Sequence, residues 1–194
     1  MESSEIINDL RSLKIRRKHR IWEPFMRKYN CAIVCEIGVQ NGYNFSEMIR
    51  HNPKVAVAVD SWKDDGVISR NDVAFSQEEL DKQYNYFKKE MSDKPFVNIY
   101  REYSFDAVRY FNDSYFDFVY IDADHTYEGC LQDIVAWYSK VKKGGFLLGD
   151  DYRVAKTRTG VRFGVIQAVN DFAKKNNLSF FELPRYGWGI IKIQ

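Results

Sequence analysis

The sequence predicts a single α/β domain with a mostly parallel sheet, helices on both faces and an antiparallel hairpin at its end. Three observations support this prediction. Short apolar runs alternate with longer amphipathic stretches from residue 31 onward, which is typical of repeated βα units. The amphipathic stretches carry apolar side chains at helical spacing. Two final apolar runs are separated only by a short turn that contains Pro184 and Gly187.

The predicted strands are the apolar runs, and the predicted helices lie between them. In chain order the parallel strands cover residues 32–37, 55–59, 96–100, 116–121 and 146–148. Apolar residues recur at helical spacing over residues 131–141 and 165–173, so we expect helices there. The closing hairpin joins residues 179–183 to residues 188–193.

Two segments lie outside this alternation. Residues 1–30 form a predicted N-terminal helical extension that includes Trp22, Phe25 and Met26, and we expect it to pack on one edge of the sheet. The polar segment 61–76 follows the second strand without a clear period and is interpreted as a candidate lid. No linker or internal repeat interrupts residues 31–194, so residues 1–194 are expected to form one domain with a Rossmann-like core.

Charge and composition favour a small-molecule partner. The net charge of +2 over 194 residues gives no strong field to attract nucleic acid or an anionic membrane. The N-terminus is the exception, because residues 11–20 carry six basic side chains. This run is either a solvated helix face or a docking site for RNA or a protein partner. No apolar run reaches about 18 residues and no secretory signal is visible, so a cytoplasmic protein is expected.

The cysteine pattern predicts free thiols in the core. The chain has three cysteines, an odd number that suits a reducing compartment. If Cys31 and Cys35 lie on one strand, they are about 13 Å apart, which is too far for a disulfide or a shared metal ion.

The first predicted strand runs into a loop with two glycines. Glu36, Gly38 and Gly42 form an E-x-G-x-x-x-G pattern that either makes a tight turn or lets the backbone approach a ligand. The G-x-G-x-x-G pattern of dinucleotide sites is absent, which disfavours a nicotinamide oxidoreductase. In open parallel sheets ligands bind at the carboxyl ends of the strands, and this loop follows such an end.

The second and third strands also end in polar side chains. Asp60 ends the second strand beside the glycine loop, where its carboxylate either accepts hydrogen bonds from two ribose hydroxyls or caps a turn. Ser104 follows the third strand and either contacts an adenine or caps the next helix.

Carboxylates cluster where the fourth and fifth strands end. Asp122 follows one of these strands and Asp150 and Asp151 follow the other. Neighbouring strands lie about 4.8 Å apart, so the three carboxylates should converge. Such a cluster implies either a cation or shared protons, and oxygen ligands favour Mg²⁺ or Ca²⁺ over zinc. His125 follows Asp122 by three residues and is suited to accept a hydroxyl proton at neutral pH.

These motifs together resemble those of class I S-adenosylmethionine-dependent methyltransferases, especially the metal-dependent O-methyltransferases that act on catechols and macrolide sugars. The resemblance covers roughly residues 31–194, and its most specific parts are segments 35–43, 59–60, 120–128 and 144–152. It implies a Rossmann-like methyltransferase sandwich with a seven-stranded sheet in the order 3-2-1-4-5-7-6, in which strand 7 is antiparallel.

The resemblance also implies a role for each candidate residue. Around the donor, Gly38 and Gly42 would shape the methionine pocket, Glu36 would order its amino end, Asp60 would hold the ribose and Ser104 would lie by the adenine. The remaining assignments concern the chemistry: Asp122 would hold Mg²⁺ with Asp150 and Asp151, and His125 takes the position of a general base.

The sequence leaves several alternatives open. A donor-binding pseudo-enzyme that docks RNA or a partner through residues 11–20 is the main competing hypothesis. The methyl acceptor is expected to be a small hydroxyl compound such as a sugar or a phenol. The oligomeric state is open, with a homodimer among the alternatives.

Overall fold

A computed structural model of the chain describes residues 4, 5, 8, 21–64, 75–156 and 160–193. The basic run 11–20, the apolar residues predicted to be helical before residue 21 and the centre of the predicted lid lie outside the described residues. The helices of the described part are α1 (Trp22–Lys28), α2 (Tyr43–Met48), α3 (Gln77–Glu90), α4 (Ser104–Ala107), α5 (Tyr127–Tyr138) and α6 (Val165–Lys175). The strands are β1 (Ile33–Ile37), β2 (Val55–Asp60), β3 (Val97–Arg101), β4 (Phe116–Ile121), β5 (Val141–Gly149), β6 (Phe180–Leu183) and β7 (Gly187–Ile191).

The seven strands form one sheet in the order β3-β2-β1-β4-β5-β7-β6, which confirms the predicted order. Strands β1 to β5 pair in parallel, whereas β7 is antiparallel to both of its neighbours, β5 and β6. Ile37 of β1 pairs with Ile121 of β4, and Ile121 pairs in turn with Gly149 of β5. The carboxyl ends of three adjacent strands therefore lie level at one edge, where the candidate residues follow them.

Alternating side chains of the strands supply two hydrophobic cores, one on each face of the sheet. On β4, Phe118 and Tyr120 belong to the core that packs against α1, α2 and α3. Val119 and Ile121 belong to the core that packs against α5 and α6. This alternation is what a strand covered by helices on both faces requires. The three cysteines are free and buried, as predicted.

Helix α1 covers a face of the sheet, so its predicted position at a sheet edge is wrong. The ring of Trp22 lies 4.9 Å from that of Tyr120 on β4, and the ring of Phe25 lies 5.0 Å from that of Phe146 on β5. Both strands are central in the sheet. The large aromatic side chains of α1 bury more apolar area against the middle of the face than an edge strand could offer.

Candidate active site

The loop between β1 and α2 folds back closely onto the end of β4. The amide of Gly38 donates to the carbonyl oxygen of Val59 (2.9 Å), and its φ of +85° lies in the left-handed region. A Cβ atom at Gly38 would overlap the backbone carbonyl of Asp122, so only glycine fits between these two strand ends. Gly42 also has a positive φ, and a Cβ there would overlap the ring of Phe87. Both glycines are thus required by the packing of the loop itself.

Glu36 is a buried carboxylate, and only one of its two side-chain oxygens accepts a hydrogen bond from the described part of the chain. The amide Nδ2 of Asn44 donates to its Oε1 (2.6 Å), and Trp22 Nε1 donates to Oδ1 of the same asparagine (2.6 Å). Its Oε2 is buried and has no hydrogen-bond partner in the described part of the chain. Burial raises the pKa of Glu36 well above its usual value, against the opposing effect of the Asn44 hydrogen bond. An oxygen placed in this way fits a ligand ammonium group.

The carboxylate of Asp60 joins the glycine loop to the segment that follows β2. Its Oδ2 accepts from the amides of Val39 and Gln40, each at 2.8 Å, and its Oδ1 accepts from the amide of Trp62 at 2.8 Å. Asp60 is therefore a turn cap and a loop anchor. Its predicted contact with ribose hydroxyls stays a prediction, since a carboxylate oxygen can accept a further hydrogen bond. Burial raises the pKa of Asp60, whereas the three amides lower it.

Ser104 contacts a buried aspartate that the sequence analysis missed. The N-cap of α4 is Tyr103, so the interpretation of Ser104 as a helix cap is wrong. Its hydroxyl instead donates to Oδ1 of Asp133, a buried residue of α5. Burial raises the pKa of Asp133 to about 7, the Ser104 hydrogen bond opposes this shift, and nearby Asp124 adds to it. No sequence pattern marked Asp133, because an aspartate inside an amphipathic helix is usually solvated.

At the ends of β4 and β5 the structure brings Asp122, His125 and Asp151 together. One ligand atom of each lies within 4.8 Å of the others, and in the described part of the chain this is the group that could hold a metal ion. His125 Nε2 lies 3.2 Å from Asp122 Oδ1 and 3.4 Å from Asp151 Oδ2. Asp150 makes a different contact: its Oδ1 accepts a hydrogen bond from the amide of Asp151 (2.7 Å). Asp150 as a third metal ligand stays a prediction.

The imidazole of His125 is held in place by an aromatic ring. It stacks on Phe163 with ring centroids 4.9 Å apart and planes at 26°. The amide of Gly164 donates to the carbonyl oxygen of His125 (2.8 Å), which fixes the segment carrying Phe163 against the His125 loop. The sequence analysis missed Phe163, because this residue lies in an irregular segment between β5 and α6 that has no periodicity to interpret.

One cavity of about 1820 Å³ connects these two ends of the site. With the exception of Gly42, every residue predicted for the site lines it, and so do Asp133 and Phe163. The cavity therefore extends from the glycine loop to a group of acidic and imidazole side chains. In the described residues, no helix is both long and apolar enough to cross a membrane.

The seven-stranded sheet with an antiparallel β7, the glycine loop after β1 and the acid at the end of β2 form the arrangement expected of a class I S-adenosylmethionine-dependent methyltransferase. The chain belongs to the family described as a methyltransferase domain, whose model matches residues 35–152, more than half of the chain. No curated protein matches this chain in sequence.

Solved structures share the fold at low sequence identity. The O-methyltransferase from Bacillus cereus, in complex with SAH (S-adenosylhomocysteine), is 13% identical, with 97% of this chain and 90% of that chain covered and a TM-score of 0.65. The O-methyltransferase NovP is 17% identical, with 97% and 81% covered and a TM-score of 0.63. Spermidine synthase from Thermotoga maritima is 18% identical, with 82% and 52% covered and a TM-score of 0.53. Since these neighbours are named for different reactions, the likeness shows the fold alone.

Proposed function

We propose that this methyltransferase transfers the methyl group of S-adenosylmethionine to a hydroxyl oxygen of a small molecule, with assistance from a divalent cation. The observation that carries the proposal is the group formed by Asp122, His125 and Asp151. It lies in the same cavity as the glycine loop after β1, which we call the donor loop. A methyl acceptor bound at this group would lie between a proton acceptor and the donor. Two neighbours of the fold that are named O-methyltransferases support the same assignment.

The donor end would bind S-adenosylmethionine through residues whose geometry suits its parts. Oε2 of Glu36, buried and without a protein partner in the described residues, would accept from the ammonium group of the donor. Asp60 would accept from the ribose hydroxyls, and Ser104 with Asp133 would lie at the adenine. The sulfonium is already activated, so the chain mainly has to align the methyl group with the acceptor oxygen.

At the chemical end, Asp122 and Asp151 would hold the cation, which the sequence analysis expects to be Mg²⁺. When bound, a divalent cation supplies positive charge that favours the ionised form of a hydroxyl group. His125 would take the hydroxyl proton at Nε2, and the two nearby carboxylates would stabilise the imidazolium that forms. Asp150 would position Asp151 through the hydrogen bond to its amide.

Replacing His125 tests its role as the proton acceptor. His125→Ala should lower kcat by about 10²-fold to 10⁴-fold, the usual contribution of a general base. Binding of S-adenosylhomocysteine, measured by calorimetry, should stay near the wild-type value because His125 lies at the acceptor end. If the variant keeps full activity with a hydroxyl compound that the wild type methylates, His125 takes no part in the mechanism.

Chelation tests the role of the cation separately. Activity measured with labelled S-adenosylmethionine should be lost in EDTA and recovered when excess Mg²⁺ is added. Mn²⁺ should be added in a parallel experiment, because carboxylate ligands such as Asp122 and Asp151 suit Mn²⁺ as well as Mg²⁺. Activity that survives EDTA unchanged would contradict the metal-assisted mechanism and leave methyl transfer itself standing.

A further inference from the structure

Three arginines line the cavity beside the Asp122, His125 and Asp151 group, and together they form what we call the arginine rim: Arg153, Arg162 and Arg185. They come from two segments only, the irregular stretch after β5 and the turn between β6 and β7. The carboxylates of the cavity lie in strands, after strands or on α5. Lys63, the other cationic side chain of the cavity in the described residues, lies over Tyr103 (5.8 Å). Of the four lysine and arginine side chains that line the cavity in the described residues, three therefore belong to the arginine rim.

The rim is connected to the reactive group by a series of stacked side chains. Arg153 lies between two rings, with its Cζ 5.7 Å from the centroid of Phe163 and 5.2 Å from that of Tyr186. Phe163 stacks on His125, and Arg153 Nε lies 2.7 Å from Asp151 Oδ1. A ligand that contacts the rim would therefore also lie close to the proposed site of methyl transfer.

The β6–β7 turn holds two non-glycine residues in an unfavourable backbone conformation. Arg185 and Tyr186 have φ values of 61° and 72°, a pair of left-handed residues that hairpins usually build from asparagine and glycine. The amide of Tyr152 donates to the carbonyl oxygen of Tyr186 (2.6 Å) and holds the turn against the segment that follows β5. Backbone of this kind costs free energy and clusters at ligand sites, which is consistent with a role for these two side chains in the cavity.

We propose that the arginine rim binds an anionic group, a carboxylate or a phosphate, on the methyl acceptor. The inference rests on the proposed function and adds the chemical class of the acceptor: a hydroxyl compound that also carries a negative charge. Guanidinium groups bind carboxylate and phosphate oxygens through paired N–H donors. Arg162 and Arg185 would contact the anion, and Arg153 would position Asp151 and Tyr186.

Matched probes that differ in charge test this inference. The anionic probes are 3,4-dihydroxybenzoate and 3,4-dihydroxybenzylphosphonate, and the neutral probe is 3,4-dihydroxybenzyl alcohol. Calorimetry with the full chain, saturated with S-adenosylhomocysteine and Mg²⁺, should give at least one anionic probe an affinity about tenfold above that of the neutral probe. The stronger of the two anionic probes identifies carboxylate or phosphate as the preferred group.

Variants separate the rim from general charge effects. The double variant Arg162→Gln, Arg185→Gln should lose about tenfold in affinity for the anionic probe and keep its affinity for the neutral one. Arg50→Gln, at a surface arginine that pairs with Glu23, should change neither value. Binding of S-adenosylhomocysteine should be unchanged in all variants, which also shows that they fold.

Several outcomes would overturn the inference. Equal affinity for charged and neutral probes, no binding of any anionic probe, or an unchanged anion affinity in the double variant would each contradict the anionic acceptor. If the wild type binds S-adenosylhomocysteine normally in these experiments, only the inference fails. A wild type that does not bind S-adenosylhomocysteine contradicts the proposed function and this inference with it.

Discussion

Asp133 is a buried acid whose protonation should be visible in the stability of the protein. Its pKa of about 7 in the folded chain lies well above the ordinary value of 3.8, because burial disfavours the carboxylate. Between these two values the folded state keeps a proton that the unfolded state has released. The stabilisation is therefore complete below about pH 4 and is lost as the pH rises through about 7.

Replacing Asp133 with asparagine should remove this pH dependence. In the wild type, the free energy of unfolding should fall by up to about 1.4 kcal/mol for each unit of pH rise across that window, as Asp133 loses its proton. This slope should be absent in Asp133→Asn. Urea unfolding at pH 4 to 8 measures both curves. Asp171→Asn, a change at an exposed aspartate of α6, is the matched control and should keep the wild-type slope. Parallel curves for wild type and Asp133→Asn would contradict the proposed titration.

The positions of Asp150 and Asp151 show what residue spacing can and cannot predict. The sequence correctly brings Asp122 and Asp151 together, because the ends of β4 and β5 are adjacent. Asp150 as a third ligand stays a prediction, and in the structure its carboxylate accepts the amide of Asp151. Asp151 has a φ of 55°, a local reversal that spacing does not reveal. The same reversal places Asp151 beside His125.

Among the structural elements, the segment after β2 is the one that closes the donor loop. Trp62 follows Asp60, is buried, and donates from Nε1 to the carbonyl oxygen of Gln40 (2.7 Å). Its ring stacks on Phe87 with centroids 5.7 Å apart. The carbonyl oxygen of Trp62 accepts from Gln77 at the start of α3 (3.0 Å) and from Arg101 at the end of β3 (3.0 Å). Trp62 therefore links the donor loop, through its indole, to α3 and β3, through its backbone carbonyl oxygen.

Replacing Trp62 with phenylalanine should weaken donor binding without removing the packed ring. The variant loses one hydrogen bond to the donor loop, so the affinity for S-adenosylhomocysteine should fall about threefold to tenfold. Trp137→Phe is the matched control, because Trp137 is a buried tryptophan of the opposite core whose Nε1 has no hydrogen-bond partner in the described residues. Calorimetry on both variants measures the effect, and equal losses would show that general packing, not the hydrogen bond, is responsible.

Two elements show why element boundaries were harder to predict than the strand order. Strand β5 begins at Val141, five residues before the predicted start, because its pairing with β4 is irregular and its first half contains two lysines and Gly144 in a left-handed conformation. Such an irregularity breaks the apolar pattern that marks a strand. Helix α3 is mostly polar, but Ser76 and Glu79 form a capping box, a signal that the sequence analysis did not use.

At the scale of the whole molecule, both hydrophobic cores share one sheet, and the proposed donor site lies on loops that follow β1, β2 and β3. Binding of the donor product should therefore stabilise the entire fold. S-adenosylhomocysteine at about 100 times its Kd should raise the free energy of unfolding by about 2.7 kcal/mol. Thermal unfolding with and without the ligand measures this shift. NAD at the same concentration is the control, and a comparable shift with NAD would contradict the assignment of the donor.

Strand β7 follows β6 in the chain but lies between β5 and β6 in the sheet. During synthesis, β6 therefore emerges before the strand that pairs with it, and it can join the sheet only after β7 has formed. The donor loop depends on β1, β2 and β4, which are made much earlier. The hydrogen bond from Tyr152 to Tyr186 requires the β6–β7 hairpin, and so does the position of Arg185 in its turn. Because a domain generally folds as a unit, the cavity wall that carries the arginine rim is completed only after the last two strands have been synthesised.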